Sequence, residues 1–225
     1  MALLRPSPAL DRDRLAATLP RGDGHAVLVL PPALRGDGLT AALRAVLGHL
    51  GFLPFGWGLG PNLGPTSRLL AGASARVSDL AGRYGPVSLI GFSMGGLFAR
   101  LLAHRHSERV RRLVTVGSPF RNPLGGTILP VRPFFGFWDG PAAVRRLVTD
   151  IAVPPDVPTT SLYSREDGIV DWRCCTEPGG DNVEFAGPHM TMVHSETVLR
   201  IIAERLARPI PVPGRAAPSR AYDEA

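Results

Sequence analysis

The chain has 225 residues, 44% of them hydrophobic, and a formal charge of +6 in which every one of the 25 basic side chains is arginine. That size and apolar content suffice for one substantial core; no run reaches membrane-spanning length and residues 1–8 lack the apolar stretch of a secretion signal, so a soluble, cytoplasmic, single-domain protein is expected. The arginines are scattered, and the densest group (Arg109, Arg111, Arg112) leads into an apolar run without interleaved aromatics, which argues against nucleic acid as a partner and leaves contact with an anionic membrane surface open.

Residues 1–24 read as an N-terminal extension. Short apolar runs then alternate with helical patterns over residues 25–207, the signature of an α/β fold with a mostly parallel, doubly wound sheet and helices on both faces. Strands are predicted at 26–30, 52–57, 87–92, 110–116, 159–163 and 182–185. Several are near-continuous apolar runs, as parallel strands buried on both faces require. Between them, Leu39, Leu43, Val46, Leu47 and Leu50 recur at helical spacing, as do Leu69, Leu70, Ala73, Val77 and Leu80. A third helix is expected from residue 93 to about residue 104, and a last one over 195–206. The stretch 119–157 breaks this rhythm. It is rich in Pro and Gly, carries Phe134, Phe135, Phe137 and Trp138, and reads either as a lid-like insertion or as a loop whose aromatics pack back on the core. Residues 208–225, with four prolines, read as a tail without reason to order.

Gly91-Phe92-Ser93-Met94-Gly95, between a predicted strand and a predicted helix, has the form of a nucleophile elbow. Its glycines make room for a sharp turn that exposes the serine hydroxyl. Such a serine needs a base. His25 stands at a strand entrance, His49 at a helix end, and His104 and His106 lie about 15 Å or more along the helix that begins at Ser93. His189 follows the last predicted strand and lies at the carboxyl edge that presents Ser93, with His194 as its competitor. The base in turn needs an acid, for which Asp167 is the first choice beside Glu166 and Asp171. Ser93, Asp167 and His189 then follow the chain order Ser, Asp, His. Oxyanion donors are expected from the Met94 amide and from Ala33, the first residue after Pro31 and Pro32 that has an N–H to give. Trp57, Phe134 and Phe135 are candidate substrate-binding residues, with Phe55 and Met94 as further apolar pocket material. Cys174 and Cys175 are adjacent, poorly placed to bridge each other, and near no histidine at metal-ligand spacing. No metal or cofactor is expected.

On these residues the chain resembles the α/β-hydrolase superfamily, in particular small bacterial lipase- and esterase-like members without a large cap. The resemblance covers residues 25–207 and rests on Leu28-Val29-Leu30-Pro31-Pro32-Ala33, Gly91 to Gly96, Val116-Gly117-Ser118-Pro119, Ser161 to Val170, and His189. The run Gly56-Trp57-Gly58-Leu59-Gly60-Pro61-Asn62-Leu63-Gly64-Pro65-Thr66 also looks like that of bacterial α/β hydrolases. Pro32 departs from the glycine usual in the oxyanion turn, and Met190-Thr191-Met192 replaces a common glycine after the histidine. The resemblance implies a serine hydrolase cleaving a carboxylic ester, small or lipid-like, with an apolar acyl group, through an acyl-enzyme. An acyltransferase, thioesterase or amidase on the same residues, or a non-catalytic binding protein on this scaffold, are the rival readings.

Overall fold

The computed structural model describes residue 15, residues 17–130 and residues 140–210. In chain order the elements are β1 (Ala26–Leu30), α1 (Ala41–His49), β2 (Leu53–Gly56), α2 (Ser67–Tyr84), β3 (Val87–Phe92), α3 (Met94–Arg105), β4 (Val110–Val116), α4 (Gly140–Ala152), β5 (Thr159–Tyr163), β6 (Asp181–Glu184) and α5 (Glu196–Leu206). The six strands form one sheet in the order β2-β1-β3-β4-β5-β6, and every neighbouring pair is parallel. The chain therefore winds outward from β1 in one direction and then, through β3, in the other.

Strand side chains alternate between the two faces. Ala26, Leu28 and Leu30 pack with Leu70, Ala73, Val77 and Leu80 of α2 and with Leu97, Phe98, Leu101 and Leu102 of α3. Val27 and Val29 turn the other way, onto Leu43, Val46 and Leu47 of α1 and Val198, Leu199, Ile202 and Leu206 of α5. Each such leucine or valine, removed from water, contributes about 2 kcal/mol. Two helices are capped by hydroxyls: Thr66 accepts from the Leu69 amide at the start of α2, and Ser195 from the Val198 amide at the start of α5.

Four predicted strands have the observed limits. The other two differ at their ends. β2 is shorter than 52–57 because Phe52 is buried in the core ahead of the ladder and the Trp57 amide leaves the strand to donate to Asp37. β6 begins a residue early, at Asp181, whose carboxylate accepts from Thr160 and Arg205. α1 begins at Ala41, so Leu39 precedes the helix and packs on the core from the loop. The break at 119–157 contains a regular element: α4 packs Val144, Leu147, Val148 and Ile151 against the α2–α3 face. Residues 131–139, including Phe134, Phe135, Phe137 and Trp138, lie outside the described residues, as does the tail beyond residue 210. Among the described residues no helix is long and apolar enough to cross a membrane.

At the amino end of the strands, His25 joins Asp23 to Ser88. Its Nδ1 is 2.5 Å from Asp23 Oδ1 and its Nε2 2.8 Å from Ser88 Oγ. The carboxylate accepts, so Nδ1 carries the proton and Nε2 accepts from the serine hydroxyl. Ser88 is completely buried, so this Ser-His-Asp chain is a strut between β1 and β3 that no substrate reaches. Burial lowers the His25 pKa; the Asp23 hydrogen bond opposes the shift, and the charges of Arg111 and Arg112 add to it. The folded state therefore binds fewer protons than the unfolded chain below the unfolded value of about 6.5. This contribution to stability is present above that pH and is lost as pH falls toward the folded value. Urea titrations of wild type and His25→Asn should differ in slope against pH between 7 and 5, by up to about 1 kcal/mol per pH unit. Parallel profiles would show that the imidazole does not titrate with unfolding.

Candidate active site

Ser93 follows the last residue of β3 and stands at the N-cap position of α3. Its backbone lies at φ 51° and ψ −118°, and its side chain makes no capping hydrogen bond, unlike Thr66 and Ser195. A non-glycine residue at positive φ is strained by about 1–3 kcal/mol and persists only where its surroundings fix it. Those surroundings are explicit. The Ser93 amide donates to Val116 O at 2.8 Å, continuing the β3–β4 ladder, and Gly96 N returns to Ser93 O at 3.0 Å. A methyl group on Gly91 would strike the backbone of Gly95 and Gly96, one on Gly95 would strike Leu30 O and Pro31 O, and one on Gly96 would strike Ser118 Oγ. All three glycines are required by close approach.

Asp167 lies four residues past the end of β5 and His189 five past the end of β6. Asp167 Oδ2 accepts from His189 Nδ1 at 2.7 Å, and Oδ1 accepts from the amides of Ile169 (3.0 Å) and Val170 (2.6 Å). Both residues are buried, and two further bonds join their loops: His189 N to Asp167 O at 3.0 Å, and Ser164 Oγ to Gly187 O at 2.7 Å. Asp167 holds the proton on Nδ1, which leaves the Nε2 lone pair of His189 as an acceptor. Gly117, which follows β4 at φ 56°, brings the elbow's neighbouring strand against this pair. A Cβ there would lie 3.3 Å from Asp167 Oδ2 and against Met192. Of the other acids, Glu166 is exposed and Asp171 caps the short turn Trp172–Cys175 by accepting from Arg173 N. His194 ends the 3-10 turn His189–His194 and is only half-buried.

Met94 is the first residue of α3, so its amide is one of the helix N–H groups that have no partner within the helix. The turn after β1 packs against this end of α3. Leu34 N donates to Asn62 O at 2.8 Å and Arg35 N to Pro32 O at 3.2 Å; among the described residues no hydrogen bond engages the Ala33 amide. Trp57 must be reassigned. It is 1% exposed, meets Phe98 edge-on and donates its indole N–H to Gly60 O, so it is a core residue and not a substrate-binding one. It leaves β2 pointing inward because Asp37 accepts from both its amide and that of Gly58. Phe134 and Phe135 fall in the segment outside the described residues. The thiols of Cys174 and Cys175 are free, and burial pushes both pKa values up, with nearby carboxylates adding to the shift. Neither is a poised thiolate. Among the described residues no group of His, Cys, Asp and Glu is arranged to hold a metal ion.

Sequence reasoning missed Arg100, buried behind the elbow in α3. Its guanidinium donates to Ile151 O (2.6 Å), Val153 O (2.7 Å) and Glu177 (2.9 Å) and lies over the Phe120 ring. It ties α3 to the end of α4 and to the loop before β6. The available signal was a charge inside the apolar run Leu97-Phe98-Ala99-Arg100-Leu101-Leu102.

An all-parallel sheet with helices on both faces and a serine at the turn from a central strand into a helix is the arrangement of the α/β-hydrolase fold. The family described as alpha/beta hydrolase fold matches residues 80–129, the segment from the end of α2 through the elbow and β4. No curated protein matches by sequence. Among solved structures, a metagenome-derived lipolytic enzyme, from work on LipS and LipT, is 17% identical over 84% of this chain and 95% of its own, with a TM-score of 0.60. A pyrethroid hydrolase from Sphingobium faniae JZ-2 is 16% identical over 82% and 98%, with a TM-score of 0.57. Mouse alpha/beta hydrolase domain-containing protein 10 is 19% identical over 81% and 88%, with a TM-score of 0.55.

Proposed function

We propose that the protein is a serine hydrolase that cleaves carboxylic esters with an apolar acyl group through an acyl-enzyme. The reading is carried by the buried Asp167–His189 hydrogen bond, made from loops at the carboxyl edge of the sheet where the strained, non-capping Ser93 stands. In this mechanism Ser93 Oγ attacks the ester carbonyl carbon as its proton passes to His189 Nε2. The carbonyl electron pair moves onto oxygen, where the Met94 and Ala33 amides stabilise it. Collapse reforms the carbonyl and breaks the bond to the alcohol oxygen, which takes the proton from His189. Water then repeats the sequence: its proton goes to His189, the acyl–Ser93 bond breaks, and the proton returns to Ser93 as the acid departs.

The apolar acyl preference rests on the surroundings of these groups. Leu34, Leu63, Ile128, Leu129 and Met190 are exposed large apolar side chains on loops at the carboxyl ends of β1, β2, β4 and β6. They neighbour Ala33, Asn62, the Asp167 loop and His189, where they offer apolar contact to an arriving acyl group. The test is labelling of the full chain by a fluorophosphonate with an alkyl chain, followed by peptide mass mapping. A single adduct on Ser93 is expected, with faster labelling by longer chains. No adduct, or one on another serine, would remove the reading.

A further inference from the structure

We propose that Asn62 is the positioning residue for the second oxyanion donor, a role that rests on the hydrolase reading and deepens it. Pro31 and Pro32 have no N–H, and the Leu34 and Arg35 amides are engaged, so among the described residues Ala33 carries the one amide of the turn 31–35 left to donate. That outcome depends on the turn's shape, which three bonds from Asn62 hold while a fourth fixes its own side chain. Its Nδ2 donates to Pro31 O at 2.8 Å, its carbonyl accepts from Leu34 N at 2.8 Å, its amide donates to Arg35 O at 2.9 Å, and its Oδ1 accepts from Gly64 N at 3.1 Å. Asn62 is completely buried, and its parallel bridge with Ala33 fastens the two segments together.

The turn needs this restraint, because Leu34 sits at φ 60° with its side chain exposed. A leucine does not choose that backbone for itself; the bonds from Asn62 hold it there. The turn in turn bears on the elbow, since Leu30 O and Pro31 O stand where a Cβ of Gly95 would be. Pro31, the carbonyl that Asn62 grips, is thus packed against the first turn of α3, one residue from the Met94 amide.

Only an amide side chain serves both ends. Pro31 O requires a donor and Gly64 N an acceptor; a carboxylate has no donor, an alkyl group has neither function, and a hydroxyl carries both on one atom that cannot occupy the Nδ2 and the Oδ1 places together. The run from Gly56 to Thr66 now has a physical purpose. Asp37 clamps Trp57 N and Gly58 N, Arg44 holds Asp37 by its carbonyl, and the Trp57 indole closes onto Gly60 O, so Asn62 is delivered to Pro31 by a braced loop.

The experiment compares wild type, Asn62→Asp, Asn62→Ala and, as a stability control, Ser88→Ala, whose serine lies at the far end of β3. Asn62→Asp should lower kcat on p-nitrophenyl butyrate by about 10- to 100-fold, with KM changed by less than about threefold. The Ki of an alkyl trifluoromethyl ketone, whose serine adduct bears the oxyanion, should rise in step with the fall in kcat/KM. Hydrogen exchange at the Leu34 and Arg35 amides should accelerate at least about tenfold, a readout that needs no activity. Ser88→Ala should lose stability and keep kcat. The inference is overturned if the Asn62 variants keep kcat within about twofold, lose it only in proportion to unfolded protein, or leave Leu34 exchange unchanged. A wild type that neither hydrolyses ester nor is labelled at Ser93 removes the hydrolase reading itself, and the catalytic role of Asn62 falls with it.

Discussion

Ser93→Ala is expected to lower kcat for p-nitrophenyl butyrate by roughly 10⁵-fold while leaving the thermal midpoint within a few degrees of wild type. The two halves of that result have separate causes. Under the proposed mechanism, removing the hydroxyl removes the atom to be acylated, and a water replacing it as nucleophile lacks its fixed position. Stability is spared because Ser93 occupies an N-cap position yet makes no capping bond. Loss of a working N-cap such as Thr66 would destabilise by about 1 kcal/mol, and no such loss arises here. Ser93→Gly sharpens the point. Glycine tolerates φ 51° without strain, so this variant should be as inactive as alanine and more stable than wild type by about 1 kcal/mol. A serine that weakens the fold at this turn needs a reason outside the fold. If Ser93→Ala kept activity within about tenfold of wild type, no acyl-enzyme on this residue would be in use.

How much of this was legible beforehand depends on the range of the interactions involved. β1, β3 and β4 could be bounded from their largely apolar runs, because a strand buried on both faces writes its length into consecutive residues. The strand-to-helix turn at Ser93 was legible for a similar reason: Gly91, Gly95 and Gly96 each answer a local collision. Chain order placed Asp167 and His189 after successive strands, and their hydrogen bond follows from parallel β5 and β6 lying side by side. Polar contacts between distant segments leave no such trace. Asn62 reaches Pro31 across 31 residues and Arg100 reaches Glu177 across 77, and neither spacing has a period. Trp57 shows the reverse error. An aromatic in a glycine-rich loop suggests a pocket wall, but the Asp37 carboxylate on its amide turns the ring inward.

Asp167→Asn should cost about 10⁴ in kcat without unfolding the loop. The carboxylate has two tasks on two oxygens. Oδ1 accepts from Ile169 N and Val170 N, and Oδ2 accepts from His189 Nδ1. An asparagine must assign one oxygen and one NH2 to these places. Two backbone N–H groups demand the oxygen, so the loop keeps its bonds and the NH2 is left facing His189. A donor at Nδ1 forces the imidazole to carry its proton on Nε2, where a base for Ser93 needs a lone pair. The ring stays in place in the wrong tautomer. Asp167→Ala should behave differently, because it strands two buried amides at about 1–3 kcal/mol each and so lowers stability as well as rate. Measured together, kcat and thermal midpoint separate the cases: the asparagine variant loses rate alone, the alanine variant loses both. Retention of activity within about tenfold in Asp167→Asn would mean that the base takes its orientation from another group, and the assignment of Asp167 would have to be given up.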